Sequence, residues 1–236
     1  MNYKIIQDEN KFREFIKWLP ELEEGETYYI SLFSRKKYFK ESNDNIKSDK
    51  SQIKRLLATK EWIYDKVKQL ECELGTYKNN GFEIPQESLA LYITANPRSL
   101  VKATKNSLKK FVDLITKDYD GYNPQAIVMS EIQTAGSRRI YMDFDFDNVS
   151  FNTIYNNSIV AKKINKNCLR FLKTRGGYHL LVKLDDIEEQ YKKTWYQDIS
   201  KIEGCDMRGT DSLLPVVGCC QGDYIPFFDM HEELPF

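Results

Sequence analysis

The stretch YMDFDFD, residues 141–147, alternates acidic and apolar side chains without a break. A strand sends successive side chains to opposite faces, so Tyr141, Asp143, Asp145 and Asp147 share one face. Ile140, Met142, Phe144 and Phe146 share the other, which reads as a core face. Carboxylates two residues apart on such a face lie ~6–7 Å from each other. At an effective dielectric of ~20 their repulsion is on the order of 2–3 kcal/mol per pair. An exposed edge strand would shed that repulsion into water and use the acids against aggregation. A partly enclosed site would need a cation instead, and an all-oxygen cluster suits Mg²⁺ or Mn²⁺ better than zinc.

The 236 residues suit one large domain or two small ones. No apolar run reaches the ~18–20 residues of a membrane span, and MNYKIIQDENKF lacks the apolar core of a signal peptide. A cytoplasmic protein with no membrane partner is expected. The five cysteines form no CxxC pair and the histidines are His179 and His231, so buried reduced thiols are expected rather than a zinc site. Lys and Arg balance Asp and Glu at 35 each, but the charge is segregated. ELEEGE (21–26) is acidic, whereas residues 148–184 contain no acid and carry Lys162, Lys163, Lys166, Arg170, Lys173, Arg175 and Lys183.

Strands are predicted at 3–6 and 27–33, with a helix at 9–19 stopped by Pro20. A polar loop, ESNDNIKSDKS, leads to a helix at about 51–71. A strand follows at 89–98, then a helix at 99–118. In that helix Arg98, Lys102, Lys105 and Lys109 make a basic stripe beside an apolar one of Val101, Leu108, Val112 and Ile115. The basic stripe is either a solvated flank or a face that tracks phosphates. The second half reads as a strand at 138–146, a helix at 151–166 and two strands joined by an RGG turn. A helix at 186–201 and short strands to 228 complete it. The class is α+β, with a mainly antiparallel sheet in the C-terminal half.

Beyond the acidic strand, His179 follows a Gly-Gly turn at the start of a strand, and Asp206 follows the helix predicted at 186–201. A third carboxylate arriving from another element is what a two-metal clamp requires. The order MDFDF, GYH, CD resembles the archaeo-eukaryotic primase superfamily, and within it the primase-polymerase group of viruses and plasmids, whose pattern is hDhDh, sxH and hD. LLPVVGCCQGDY resembles the proline-glycine hairpin that often follows the third motif there. The likeness spans about residues 138–228, and more loosely YITANPRS upstream. One departure stands out: the family's serine is Gly177 here, with Thr174 as a nearby hydroxyl.

The resemblance implies an N-terminal αβ module (1–135) and a catalytic module built on an RRM-like antiparallel sheet (136–236). It implies a metal-dependent primase or DNA-directed polymerase that joins nucleotides on a single-stranded DNA template in DNA replication. Asp143, Asp145 and Asp206 would bind Mg²⁺ or Mn²⁺; Asp211 and Asp223 are alternatives for the third position. His179, Thr174, Arg175 and the backbone of Gly176 and Gly177 would hold the nucleoside triphosphate. Arg98, Lys102, Lys105, Lys109, Lys162, Lys163 and Lys166 would carry nucleic acid. The chain has no GxxxxGK[ST] motif, so a replicative helicase would be a separate partner. The alternatives are an inactive relative that binds single strands or initiates replication, a DxD glycosyltransferase, and a nuclease using the same carboxylates.

Overall fold

The computed structural model describes residues 1–38, 50–79, 81–116, 123–160 and 168–229, with 157–160 as backbone only. It is α+β with antiparallel sheets. The loop core at 41–49, the predicted helix end at 161–166, Lys162, Lys163, Lys166 and His231 lie outside the described residues.

Helix α1 (Glu9–Trp18) starts where Asp8 caps the Lys11 amide, and it turns Phe12 and Phe15 inward. Strand β1 (Glu26–Arg35) is buried on both faces. Tyr28, Ile30 and Leu32 enter a core shared with α1, while Tyr29 faces the opposite side. β1 pairs antiparallel with β2 (Lys50–Ala58) and with β5 (Leu89–Thr94). Its first residues pair with the short β6 (Arg98–Ser99). The predicted helix at 51–71 is therefore wrong in its first half. Residues 50–58 form a strand, and only α2 (Ile63–Lys68) is α-helical. Ile53, Leu56 and Leu57 fit helical spacing, but the open side of β1 offers a complete hydrogen-bonding ladder and outweighs local propensity. The Gln52 amide reinforces it by donating to the Tyr29 hydroxyl (2.8 Å) and to Ser31 Oγ (2.7 Å).

A small hairpin, β3 (Lys78–Asn79) and β4 (Phe82–Glu83), precedes β5. Residues 3–6 form no strand: isolated bridges stand at Asn2 and Ile6, and the Ile5 and Ile6 amides donate to Glu71. Helix α3 (Leu100–Ile115) is capped by Ser99, and α4 (Pro124–Thr134) by Asn123 with Pro124 in its first turn. α4 was not foreseen. The two helices pack together through Ala103 and Ile132 over Tyr29.

The second sheet runs β10 (Cys205–Gly209), β7 (Tyr141–Asp147), β9 (Gly177–Lys183), β8 (Leu169–Lys173), β12 (Phe227–Phe228). Phe144 and Phe146 enter a second core with α5 (Phe151–Val160) and Trp195, as the alternation predicted. The helix expected at 186–201 shrinks to 3₁₀ turns and α6 (Tyr196–Ile199). Ile187 and Glu188 are extended (ψ 129° and 138°), which interrupts the helix while Ile187, Trp195 and Ile199 all reach the second core.

The boundary expected at 135/136 does not divide the sheets, because β11 (Leu213–Pro215) crosses back to pair with β5. Behind it Val216, Val217, Cys219 and Cys220 sink into the first core, the cysteines as free thiols. Gly218 (φ +77°) presses so closely on the start of α1 that a Cβ would lie 2.5 Å from the Asp8 carbonyl oxygen. Among the described residues no helix is long and apolar enough to cross a membrane.

Candidate functional site

The acidic face of β7 looks toward the first sheet. At its start Tyr141 joins the first core; farther along, Asp145 and Asp147 line a cleft of about 420 Å³. Cross-strand register sets the cluster. Asp145 stands opposite His179 of β9 on one side and Asp206 of β10 on the other. Asp143 is only 2 % exposed, and His179 Nδ1 lies 2.9 Å and 3.2 Å from its carboxylate oxygens. The same ring turns Nε2 to within 3.6 Å of Asp145. Burial opposes a charged imidazole, but the charge and hydrogen bond of Asp143, with Asp145 behind it, outweigh burial and raise the His179 pKa. Asp147 is exposed at the strand's end. The field of these acids reaches Cys205, whose thiol is pushed up to about 11 by burial and by Asp206, Asp145 and Asp143.

The structure brings Asp143, Asp145, Asp206 and His179 together. Asp211 and Asp223 are each paired with an arginine outside that cluster: Asp211, which also lines the cleft, with Arg98, and Asp223 with Arg175 (2.9 Å). Arg98 was expected on a nucleic-acid face, yet it is 0 % exposed and its guanidinium donates to the Asp211 side chain and backbone carbonyl. The strand pairing of β6 with β1 pulls it inward. Lys102, Lys105 and Lys109 are exposed as expected, and so are Val101, Leu108, Val112 and Ile115, because α3 buries its small residues Ala103 and Ser107 instead.

The RGG turn is tied up within the fold. The Arg175 amide donates to Gln221 (2.8 Å), and the Gly177 amide to Thr174 Oγ1 (3.3 Å), so two of the predicted phosphate donors already have partners. Thr174 closes the turn, its amide donating to the Gly177 carbonyl (3.0 Å), and its side chain is buried at the cleft's edge. Gly177 has its own reason. A Cβ there would stand 1.8 Å from the Phe146 carbonyl oxygen, so this backbone cannot hold a serine. The close approach of β7 to β9 is thus what requires glycine at this position.

Sequence reasoning missed the opposite wall of the cleft. Arg35 ends β1, Lys37 and Tyr38 form the turn after it, Lys50 opens β2, and Tyr92 lies on β5. Arg35 donates to the Tyr92 hydroxyl (2.8 Å), Lys50 lies 5.5 Å from the Tyr92 ring, and Arg175 lies 4.7 Å over Tyr38. The run SRKK at 34–37 was a visible signal; the aromatic partners come from too far along the chain to show one. Arg208 was missed as well. It contacts Asp145 (3.1 Å) and Asp206 (3.0 Å), and its place two residues after Asp206 on a strand was the clue.

Among the described residues no group of three or more His, Cys, Asp or Glu side chains is set as a ready metal site. The donor chemistry nevertheless fits a hard divalent cation: the carboxylates are all oxygen donors, and a positive charge, the Arg208 guanidinium, already sits between Asp145 and Asp206. No protein-family model, curated protein or solved structure matches this chain.

Proposed function

We propose that the protein is a metal-dependent nucleotidyltransferase of the primase-polymerase kind, extending a strand on a single-stranded DNA template. One observation carries this reading: carboxylates on one wall of the cleft face a cationic and aromatic wall on the other. A nucleoside triphosphate has the matching halves, a polyanion that needs cations and a base that needs a flat apolar partner. The cleft volume lies in the range of small-molecule sites, about 300–1,000 Å³. The order of the acidic, Gly-Tyr-His and Cys-Asp motifs, resembling that superfamily, supports the same reading.

Asp145 and Asp206 would hold Mg²⁺ or Mn²⁺, with Asp143 behind them. The ion would supply charge to developing phosphate oxygens. His179, fixed by Asp143, presents its other nitrogen to Asp145 at the cleft surface, where phosphate would lie. Arg35, Lys37 and Lys50 would hold further phosphate charge, with Tyr38 and Tyr92 as stacking surfaces. Lys102, Lys105 and Lys109 offer a second, exposed basic face for the template.

A primed single-stranded template with Mg²⁺ or Mn²⁺ and each nucleotide pool tests the reading. Extension is expected from wild type, with a loss of about 10²–10³-fold in Asp145→Ala, the scale seen when an electrostatic stabiliser of the transition state is removed. Full activity in that variant defeats the reading. The inert alternative, a single-strand-binding module, draws support from His179 and Arg208 already neutralising the acids. It predicts template binding without extension in either metal.

A further inference from the structure

Arg208 is an added residue in its strand. The pairing runs Asp206 opposite Asp145 and Met207 opposite Phe144, then steps to Gly209 opposite Asp143. Gly209 takes φ +80°, a conformation other residues rarely adopt, with open space around it. The bulge sets one extra side chain at the level of the acidic cluster, and that side chain is a cation. Its Nη2 and Nε lie 3.1 Å and 3.3 Å from Asp145 Oδ2, and its Nη1 lies 3.0 Å from Asp206 Oδ2. His179 holds the other side of Asp145 and is buried, whereas the Arg208 side chain is 48 % exposed and lines the cleft.

We infer that Arg208 is an exchangeable counter-cation: it occupies Asp145 and Asp206 until a divalent cation enters, then turns its guanidinium to the phosphates that arrive with it. This rests on the divalent-cation part of the proposed function. Asp143 is already committed to His179, so an incoming cation draws on Asp145 and Asp206, each of which Arg208 already contacts through Oδ2. An ion pair this exposed is weak, and a doubly charged ion of small radius outcompetes it. The guanidinium fork matches carboxylate and phosphate alike, so its transfer leaves no charge unpaired. The arrangement also keeps the acids neutralised when the cleft is empty, which a permanent phosphate ligand on a rigid strand would not do.

Mn²⁺ binding to the full chain, read by electron paramagnetic resonance without nucleotide, tests the exchange. Arg208→Gln should bind Mn²⁺ about ten-fold more tightly than wild type, because the competing charge is gone. Arg208→Lys, which keeps the charge, should stay near wild type, and adding Asp145→Asn to Arg208→Gln should cancel the gain. With Mn²⁺ saturating, Arg208→Gln should bind a nucleoside triphosphate about ten-fold more weakly, having lost a charge-assisted donor. Equal or weaker Mn²⁺ binding by Arg208→Gln overturns the inference and leaves the proposed function standing. A ten-fold gain in a protein that never extends a primer does the reverse. If neither protein binds Mn²⁺, the inference falls together with the divalent-cation part of the function.

Discussion

Arg98 and Arg208 each meet aspartate, and their surroundings make them opposites. Arg98 is wholly buried, pinned through two nitrogens to Asp211 across more than a hundred residues of chain. Arg208 lies half in solvent on a bulge, shared between two acids. Burial works against the charge of Arg98, and Asp211 offsets only part of that cost, so its pKa is lowered. For Arg208 the carboxylates outweigh burial and its pKa is raised. The same pair of side chains is a fixed strut in one place and a replaceable partner in the other. What separates them is how much water each can reach.

The largest expected effect breaks the strut. Asp211→Ala removes the carboxylate partner of the buried Arg98 charge and should lower unfolding free energy by about 3 kcal/mol, read by denaturant titration. That is the low end for a broken buried pair, because the Asp211 side chain is itself 61 % exposed and its backbone carbonyl still accepts from Arg98. A loss below about 1 kcal/mol would place Arg98 with the exposed pairs and erase the contrast. Next comes Gly177→Ser, which adds a hydroxyl but forces β7 off β9. The cost should be about 1–3 kcal/mol, as for other overpacked sites, with no gain in extension activity. A stable and more active variant would mean that the strands part easily.

His179 brings pH into the comparison. Its folded pKa is raised, so the imidazolium contributes stability that is fully present below the ordinary histidine value and lost as pH rises through the folded one. Urea midpoints measured across that window should fall with rising pH in wild type and lose this dependence in His179→Gln. An unchanged slope would mean that another group titrates there. The smallest effect belongs to Arg208→Gln without metal. Exposed ion pairs contribute about 0–1 kcal/mol, so its thermal midpoint should hardly move. A loss like that of Asp211→Ala would make Arg208 a second strut.

The acidic strand was legible because its information is local. Alternation over 141–147 set both faces, and the structure keeps Phe144 and Phe146 in the core and Asp145 and Asp147 in the cleft, with Asp143 buried against His179. His179 and Asp206 were legible for a related reason, each lying on a strand flanking that one. The cationic wall was not, since Arg35, Lys50 and Tyr92 belong to a different sheet and meet the acids only after folding. Arg98 misled in the same way. At a helix start it reads as a solvated charge, and it is two distant partners, β1 along the strand and Asp211 at the guanidinium, that hold it inward. The strand at 50–58 shows that a helical spacing of Ile53, Leu56 and Leu57 yields to an open ladder on β1. The exposed stripe on α3 shows that apolar periodicity does not choose which side is buried when small residues let helices approach on the other.

The returning strand β11 has a consequence for biosynthesis. As the chain leaves the ribosome, β1, β2 and β5 emerge long before Leu213–Cys220, which fill their core and seat Gly218 against α1. Contacts of such sequence separation form late, because loop closure must precede their reward. Until that stretch emerges the first sheet lacks its edge partner, and the floor of the cleft at Leu213 and Pro215 is missing. A nascent chain thus displays its acids and its cationic wall separately, and the two meet only once Leu213–Cys220 has emerged.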